Sequence, residues 1–210
     1  MLIRAAIIVL AGYLLGNLNG AIILSRIFAH DDVRRHGSGN AGFTNFCRSY
    51  GALSGLPVFV IDALKAFAAC ALGRWLFSPY GYGLEGAALA AVAVGLGHDF
   101  PALLGFHGGK GIVCGLASAL AMDYRVGLVA LVSFLIVYIL TRYVSLGSIV
   151  GAAALFVSFA LWHHDHIWAV VGCGIMSAIA IGMHHENIKR LIHKTERKTD
   201  FFHKKGNDHQ

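Results

Sequence analysis

Residues 126–162 read VGLVALVSFLIVYILTRYVSLGSIVGAAALFVSFALW, and Arg142 is the one charged side chain among them. The apolar runs 126–141 and 144–162 on either side of it approach the ~20 residues that an α-helix needs to cross a ~30 Å hydrocarbon core. The stretch therefore predicts two consecutive membrane helices, joined by a short polar connection at Arg142 and Tyr143.

The same pattern continues through the whole chain. Of its 210 residues 57% are hydrophobic and 13% are charged, and the mean hydropathy is +0.65, which is high for a soluble domain. Apolar segments of this kind number seven: 2–28, 53–77, 84–104, 111–122, 126–141, 144–162 and 166–183. The fourth is short and follows Gly108-Gly109-Lys110-Gly111, so a half-helix is the alternative there.

In lipid, every backbone polar group must be paired, so a spanning chain forms helices or a closed barrel. The continuous apolar runs exclude the alternating pattern of a barrel strand. The sequence thus predicts an all-α, polytopic membrane protein with one seven-helix domain over residues 1–193. A basic tail, residues 194–210, follows and is expected to be flexible.

The distribution of lysine and arginine predicts the orientation. With the N-terminus outside and the C-terminus cytoplasmic, twelve basic residues lie inside and three outside. The inner set is Arg34, Arg35, Arg48, Lys110, Arg142, Lys189, Arg190, Lys194, Arg197, Lys198, Lys204 and Lys205, and the outer set is Arg4, Arg74 and Arg125. The formal net charge of +6 is therefore typical of a membrane surface, and no nucleic-acid partner is expected.

Neither the cysteines nor the histidines indicate a metal site. Cys47, Cys70, Cys114 and Cys173 are far apart and form no CxxC pair, so they predict neither a disulfide framework nor a zinc site. The group His163, His164 and His166 lies in one connection and suggests adventitious binding at most. We therefore expect no metal.

Two glycine-rich segments carry the polar chemistry. The first, GSGNAGFTNFCR at 37–48, permits backbone N–H groups to converge on an anion, with Arg48 matching phosphate oxygens, although a plain turn between helices is the alternative. The second, GHDFPALLGFHGGKG at 97–111, places Lys110 at a helix N-terminus, where anions are favoured. It lacks the GxxxxGK[ST] pattern, so ATP binding is disfavoured, and its His98 is either a general base or a capping side chain.

Further polar residues accompany these segments. Asp62 and Lys65 lie inside an apolar run at i, i+3, and either reach the inner surface as a compensating pair or help to hold a substrate. The segment HHENIKRL at 184–191 predicts His184, Asn187 and Leu191 on one helix face, with Glu186 and Arg190 on another. It lacks the HExxH spacing of a catalytic zinc site.

The motifs GSGNAGFTNFCR, GHDFPALLGFHGGKG, RYVSLGS at 142–148 and HHENIKRL resemble, in this order, those of the PlsY family of bacterial acyl-phosphate:glycerol-3-phosphate acyltransferases. The resemblance extends to about Lys198. It implies seven helices in the inner membrane with the N-terminus outside. It also implies transfer of a fatty acyl group from acyl phosphate to sn-glycerol 3-phosphate, which yields lysophosphatidate and phosphate in phospholipid synthesis.

The resemblance also implies roles for individual residues. Those expected to bind the acyl phosphate are Ser38, Gly39, Asn40, Thr44 and Asn45. Those expected to bind glycerol phosphate are Arg48, Lys110, Ser145, His184 and Asn187, with Lys65 as a supporting residue. A phosphate oxygen of the donor is expected to take the proton, and His98 and His184 are the candidate side-chain bases.

No cofactor is expected. The expected partners are the two substrates and the membrane lipids, and the enzyme that supplies acyl phosphate is a further candidate. The alternative function is a small transporter of a phosphorylated solute, whose site would lie near the midplane between inverted repeats. No repeat is evident in this sequence.

Overall fold

The computed structural model describes residues 1–199, in which all regular secondary structure is helical. The α-helices are α1 (Leu2–Asn17), α2 (Gly20–Phe28), α3 (Phe43–Tyr50), α4 (Leu56–Phe77), α5 (Gly83–Asp99), α6 (Ile112–Met122), α7 (Tyr124–Thr141), α8 (Val144–Trp162), α9 (Ile167–Gly182) and α10 (His185–Ile192). The all-α prediction is confirmed for this part of the chain.

Five stretches of the described chain are long and apolar enough to cross a membrane: Leu2–Phe28, Leu53–Tyr80, Gly83–Leu104, Tyr124–Thr141 and Val144–Trp162. Helices α9 and α10 add a sixth if they are taken as one span bent by 53°. Helix α6 has 11 residues and is ~16 Å long, about half of a membrane core, as the half-helix alternative for 111–122 requires. The predicted total of seven membrane helices thus remains a prediction.

Small residues set the packing of α5, which contacts α1, α4, α6 and α9. A Cβ atom on Gly16 of α1 would overlap the backbone of Val94 and Gly97 in α5. A Cβ atom on Gly73 of α4 would likewise overlap the backbone of Gly86. Such glycines let helix backbones approach closely and pack by van der Waals contact, which matters in a membrane, where burial from lipid gives little hydrophobic gain.

The predicted first segment, 2–28, is broken between α1 and α2. Helix α1 ends at Asn17, and Asn19 caps α2 by accepting a hydrogen bond from Ile22 N. The Lys65 ammonium donates to the carbonyl oxygens of Gly16 at 3.2 Å and Leu18 at 2.8 Å. These bonds satisfy carbonyl groups that the interrupted helix leaves without partners.

Asp62 completes this arrangement. Its Oδ1 accepts a hydrogen bond from Lys65 Nζ at 2.7 Å and another from the backbone N of Gly20, at the start of α2, at 3.3 Å. The two side chains are only 2% and 3% exposed. The predicted i, i+3 pairing is therefore correct, but the alternative in which the pair reaches the inner surface is wrong, because the broken helix needs both groups inside the protein.

Segments assigned by charge to the same side lie at the same end of the molecule. At one end, Arg34 Nη1 donates to Leu104 O at 2.7 Å and Ala41 N donates to Gly108 O at 3.2 Å. At the opposite end, Arg74 Nη2 donates to Met122 O at 2.9 Å. We call these the motif end and the opposite end.

The histidines and cysteines also find ordinary structural surroundings. At the opposite end, His163 Nε2 lies 2.9 Å from Asp123 Oδ2 and His166 Nδ1 lies 2.8 Å from Glu85 Oε1, whereas the His164 side chain is exposed. All four cysteines are buried and free, which agrees with the expectation that they form no disulfide framework.

Loss of the Lys65 charge should destabilise the fold strongly. Lys65→Met leaves the buried Asp62 carboxylate without its cation and removes the bonds across the helix break, so we expect a loss of about 3–5 kcal/mol. Thermal and denaturant unfolding in detergent measure it. Leu64→Met, on the exposed side of α4, should change stability by less than about 0.5 kcal/mol. The double variant Lys65→Met, Asp62→Asn tests the coupling. If it loses as much unfolding free energy as the two single variants added together, Lys65 and Asp62 are not coupled as described.

A cationic cavity at the motif end

A cavity of about 850 Å³ opens at the motif end of the helices. Its polar wall is formed by the loop 37–48, the segment around Lys110, the first turn of α8 and the helix α10. Residues from all four sequence motifs therefore lie around one space, although the sequence separates them by up to about 150 positions. The predicted residues that line it are Ser38, Asn40, Thr44, Asn45, Arg48, His98, Lys110, Ser145, His184 and Asn187.

The loop 37–48 owes its shape to glycine and to Asn45. Gly37 and Gly39 adopt φ values of +59° and +73°, where a side chain would be strained. Asn45 Oδ1 accepts from Ser38 N at 2.9 Å, and its Nδ2 donates to the carbonyl oxygens of Val33 at 3.1 Å and His36 at 3.0 Å. Asn45 therefore holds both ends of the loop together.

These contacts bear on two residues predicted to bind the acyl phosphate, Asn45 and Gly39. Both N–H bonds of the Asn45 side chain are used on Val33 and His36, just before the loop, so in this conformation that amide has no N–H left for a phosphate. The backbone N of Gly39 donates to His36 O at 2.9 Å, and Gly39 does not line the cavity. Ser38, Asn40 and Thr44 remain as the lining donors of this loop, and Asn45 and Gly39 shape it.

Among residues 1–199, four cationic side chains line the cavity, and Arg197, after α10, is one of them. Arg48 comes from α3 and hydrogen-bonds Thr199, Lys110 precedes α6 and hydrogen-bonds Asn187, and Arg190 comes from α10. Burial lowers the pKa of Lys110 to about 8, and the neighbouring Arg190 and Arg48 add to the effect. Burial also lowers the pKa of Arg48. The cavity thus concentrates positive charge where solvent screens it weakly.

Arg190 corrects the predicted arrangement of α10. The sequence predicts that Arg190 lies on a different face from Asn187, yet both line the cavity. The physical reason is that residues three apart on an α-helix are neighbours on its surface. Arg190 therefore adds a cation to Arg48 and Lys110 that was not among the predicted site residues, and Arg197 adds another.

Glu196 is the residue that sequence reasoning missed most clearly. Its Oε1 accepts hydrogen bonds from Ser145 Oγ at 2.8 Å and Asn187 Nδ2 at 2.7 Å, and its Oε2 accepts from Arg190 Nε at 2.7 Å. Although burial acts to raise the pKa of Glu196, its bonds to Arg190, Asn187 and Ser145 outweigh burial and lower it. Glu196 thus links α8 and α10 through predicted site residues.

The segment carrying Glu196 belongs to the predicted basic tail, residues 194–210. In the structure Thr199 is 5% exposed and its backbone N donates to Arg142 O at 3.0 Å, so the described residues 194–199 contact the helix bundle. The domain boundary after residue 193 stays a prediction. The remainder of the predicted tail, residues 200–210, lies outside the described residues.

The two candidate bases differ in their surroundings. His98 Nδ1 lies 2.8 Å from the Lys65 ammonium, which has only protons to donate, so the lone pair of that nitrogen is already engaged. This geometry favours the structural role of His98 over the general-base alternative. His184 Nδ1 lies 2.7 Å from Ala180 O and must donate its proton there, which leaves the lone pair of a neutral ring on Nε2.

Lys65 itself lies behind the cavity wall, in contact with Asp62 and His98, which do line it. Asp62, His98 and Cys114 have ligand atoms within 4.8 Å of one another, a spacing that a metal ion can bridge. The Lys65 ammonium lies at hydrogen-bonding distance from two of these three residues, so a metal ion would have to displace a buried cation. The surroundings favour the ammonium over a metal.

This chain is similar to proteins of one family along most of its length. The family model described as glycerol-3-phosphate acyltransferase matches residues 6–194. A glycerol-3-phosphate acyltransferase of Thermoanaerobacter pseudethanolicus is 38% identical over 195 residues, which are 92% of this chain and 95% of that relative. One of Clostridioides difficile is 38% identical over 193 residues, 91% of this chain and 94% of the relative.

Solved structures agree with these relatives. The crystal structure of PlsY (YgiH), an integral membrane glycerol 3-phosphate acyltransferase, in its glycerol 3-phosphate form, superposes with a TM-score of 0.85 at 29% identity and covers 93% of this chain and 96% of that chain. Its lysophosphatidic acid form gives a TM-score of 0.82 at 28% identity, with 94% and 96% covered.

Removing the Glu196 charge should loosen the segment 194–199. Glu196→Gln loses the charge-assisted bond to Arg190, whose side chain is 38% exposed, so we expect local opening to become easier by about 1–2 kcal/mol. The amides of 194–199 should then exchange hydrogen about five- to thirtyfold faster. Glu186→Gln, an exposed carboxylate of α10, is the control and should leave that segment unchanged. Unaltered exchange in Glu196→Gln would mean that other contacts hold the segment.

Proposed function

This chain belongs to the glycerol-3-phosphate acyltransferase family, and we propose that it transfers a fatty acyl group from an acyl phosphate to the 1-hydroxyl of sn-glycerol 3-phosphate. The products are lysophosphatidate and inorganic phosphate, and the step belongs to phospholipid synthesis. The chain is a multi-pass membrane protein, as its family and its apolar helices establish.

One observation supports this proposal above the others: a single cavity joins a cationic polar mouth to an apolar interior. An acyl phosphate and its acyl chain need both environments, and a glycerol phosphate needs the first. The loop residues Ser38, Asn40 and Thr44 would bind the donor phosphate. The acceptor phosphate would be bound by Arg48, Lys110, His184 and Asn187, with Arg190 beside them, and by Ser145 once its hydroxyl proton, donated to Glu196 in this structure, is turned to the phosphate.

Positioning accounts for most of the proposed catalysis. An acyl phosphate is a mixed anhydride with a good leaving group, so the main obstacle is to hold two anions together that otherwise repel each other. The cations Arg48, Lys110 and Arg190 reduce that repulsion in a site that solvent screens weakly. Fixing the acceptor hydroxyl next to the donor carbonyl then makes the reaction effectively intramolecular.

The bond changes follow from these positions. The 1-hydroxyl oxygen attacks the acyl carbonyl carbon, the bond between that carbon and the bridging phosphate oxygen breaks, and phosphate leaves. The hydroxyl proton passes to a phosphate oxygen of the donor, so no protein base is needed. His184 Nε2 is the better placed side-chain alternative, since the lone pair of His98 Nδ1 faces Lys65.

A comparison of donors tests the proposal. Purified protein in detergent, given glycerol 3-phosphate and in turn palmitoyl phosphate, palmitoyl-CoA and palmitoyl acyl carrier protein, should form lysophosphatidate from the first alone. The activity should survive exhaustive chelation, because no metal is invoked. Transfer from either of the other donors at a comparable rate, or none from palmitoyl phosphate, would refute the proposed donor.

We further propose that the motif end faces the cytoplasm of the bacterial inner membrane, with the N-terminus outside and seven membrane segments. The excess of lysine and arginine at that end supports this orientation. Ser38→Cys should react with a membrane-impermeant thiol reagent only in inside-out vesicles, against a background in which the four buried native cysteines do not react. Labelling from the outside of intact cells would reverse the topology.

Lys110 should be needed for the acceptor. Lys110→Ala removes a charge-assisted contact with phosphate in a partly desolvated site, a loss of about 1.5–3 kcal/mol. The kcat/KM for glycerol 3-phosphate should fall roughly tenfold to over a hundredfold. Arg125→Ala, at the opposite end and 55% exposed, should retain the parent kinetics. A folded Lys110→Ala protein with parent kinetics would exclude the proposed acceptor site.

The same lysine predicts a pH dependence. Its pKa, lowered to about 8, means that the side chain is charged below pH 8 and becomes neutral above it. The kcat/KM for glycerol 3-phosphate should therefore fall as the pH rises through about 8, well above the second phosphate pKa near 6. Lys110→Arg keeps its charge in this range and should lack this alkaline decline, even if its rate is lower. An unchanged decline in that variant would assign the titration to another group.

A further inference from the structure

The cavity continues from its charged mouth deep into the helix bundle. Its inner wall comes from helices α5 to α9 and is almost entirely apolar, with Val92, Leu96, Leu116, Ala130, Phe134, Leu155 and Met176 among the lining side chains. Ser145 at the mouth and Leu155 at depth both belong to α8. Their ten-residue separation corresponds to about 15 Å along the helix axis.

The inner end of the cavity is closed. Ala130, Leu155 and Met176 line it, are 5%, 4% and 8% exposed, and belong to one buried apolar cluster. The same cluster contains Phe159, one turn beyond Leu155 on α8 and fully buried. A ligand that enters from the mouth therefore meets tightly packed side chains at this depth.

We propose that Leu155, together with Ala130 and Met176, sets the length of the acyl chain that the enzyme encloses, an inference that rests on the proposed acyl-phosphate donor. An extended backbone advances 3.3–3.6 Å per three bonds, or ~1.2 Å per bond, and a hydrocarbon chain in the same zigzag advances equally. A depth of about 15 Å then holds roughly 12 to 13 bonds. The cavity fully encloses straight chains of about 13 to 14 carbons, and a longer chain must bend against Leu155 or displace it.

Two glycines in the wall of the cavity show where the chain passes. A Cβ atom added to Gly95 of α5 or to Gly115 of α6 would meet no atom within 4 Å, although both residues line the cavity. Each lies about one turn from the motif end of its helix. A larger side chain at either position would therefore occupy the space of the acyl chain and not that of a neighbouring residue.

The test is a competition between donors. Purified protein receives glycerol 3-phosphate and an equimolar mixture of saturated acyl phosphates with 8 to 18 carbons, and mass spectrometry gives the lysophosphatidate distribution. Gly115→Leu, and independently Gly95→Leu, obstruct the path about one turn inside the mouth, which every donor of 8 to 18 carbons must pass, and should lower the yield of all the products at least tenfold. Leu155→Ala should shift the distribution toward longer chains and raise the ratio of 18 to 14 carbons at least threefold.

Matched controls separate length selection from general damage. Gly182→Leu adds the same side chain in open space outside the cavity, and Leu161→Ala removes the same side chain from the exposed face of α8. Both should keep the parent distribution and yield. If Leu155→Ala keeps the parent distribution, or the two glycine variants keep the parent yield, the chain does not follow the cavity to Leu155 and the inference is overturned. If the parent protein uses no acyl phosphate of any length, the proposed donor is wrong instead.

Discussion

The Lys65 ammonium lies within hydrogen-bonding distance of four acceptors inside an apolar bundle, the carbonyls of Gly16 and Leu18, Asp62 and His98, among which its three N–H bonds are shared. A helix broken in lipid leaves backbone groups without partners, which costs several kcal/mol per group unless the protein supplies them. Lys65 and Asp62 supply them where α1 gives way to α2. The break places Asn19 so that its Nδ2 donates to Ala41 O in the glycine-rich loop, at 3.0 Å. The buried ion pair thus supports one wall of the cavity.

The charged groups of the site also receive their partners from within the protein. Arg48, Lys110 and Arg190 converge in a partly desolvated space, and each is held by a neutral or anionic partner from another part of the chain, namely Thr199, Asn187 and Glu196. These contacts fix the cations before an anion arrives, so less side-chain entropy is lost on binding. Through Glu196, the described residues 194–199 contribute to this preorganisation.

The cavity connects the buried ion pair and the preorganised cations with the proposed acyl transfer. The polar loops meet at one end of the bundle, and short or broken helices, α6 above all, leave room between the longer ones. A charged headgroup and an apolar chain can then occupy one continuous space that lipid-soluble and water-soluble substrates reach from the same membrane surface. The packing of Leu155 on the cluster around Phe159 closes that space from the opposite side.

The sequence by itself determined that the protein lies in a lipid membrane, and it determined the family. Long apolar runs with few charges permit only helices in lipid, and four ordered motifs identified the chemistry and ten of the side chains and loop positions that surround the cavity. The sequence did not determine which hydrogen-bond partner each polar side chain contacts. The side-chain amide of Asn45 donates to Val33 and His36. The side chain of Arg190 donates to Glu196, whose carboxylate also accepts from Ser145. Periodicity and motif spacing record which residues are near in the chain, whereas a hydrogen bond depends on which groups from distant segments meet. Only the tertiary structure brings Ser145, Asn187 and Glu196 together, and it alone sets the depth at which Leu155 closes the cavity.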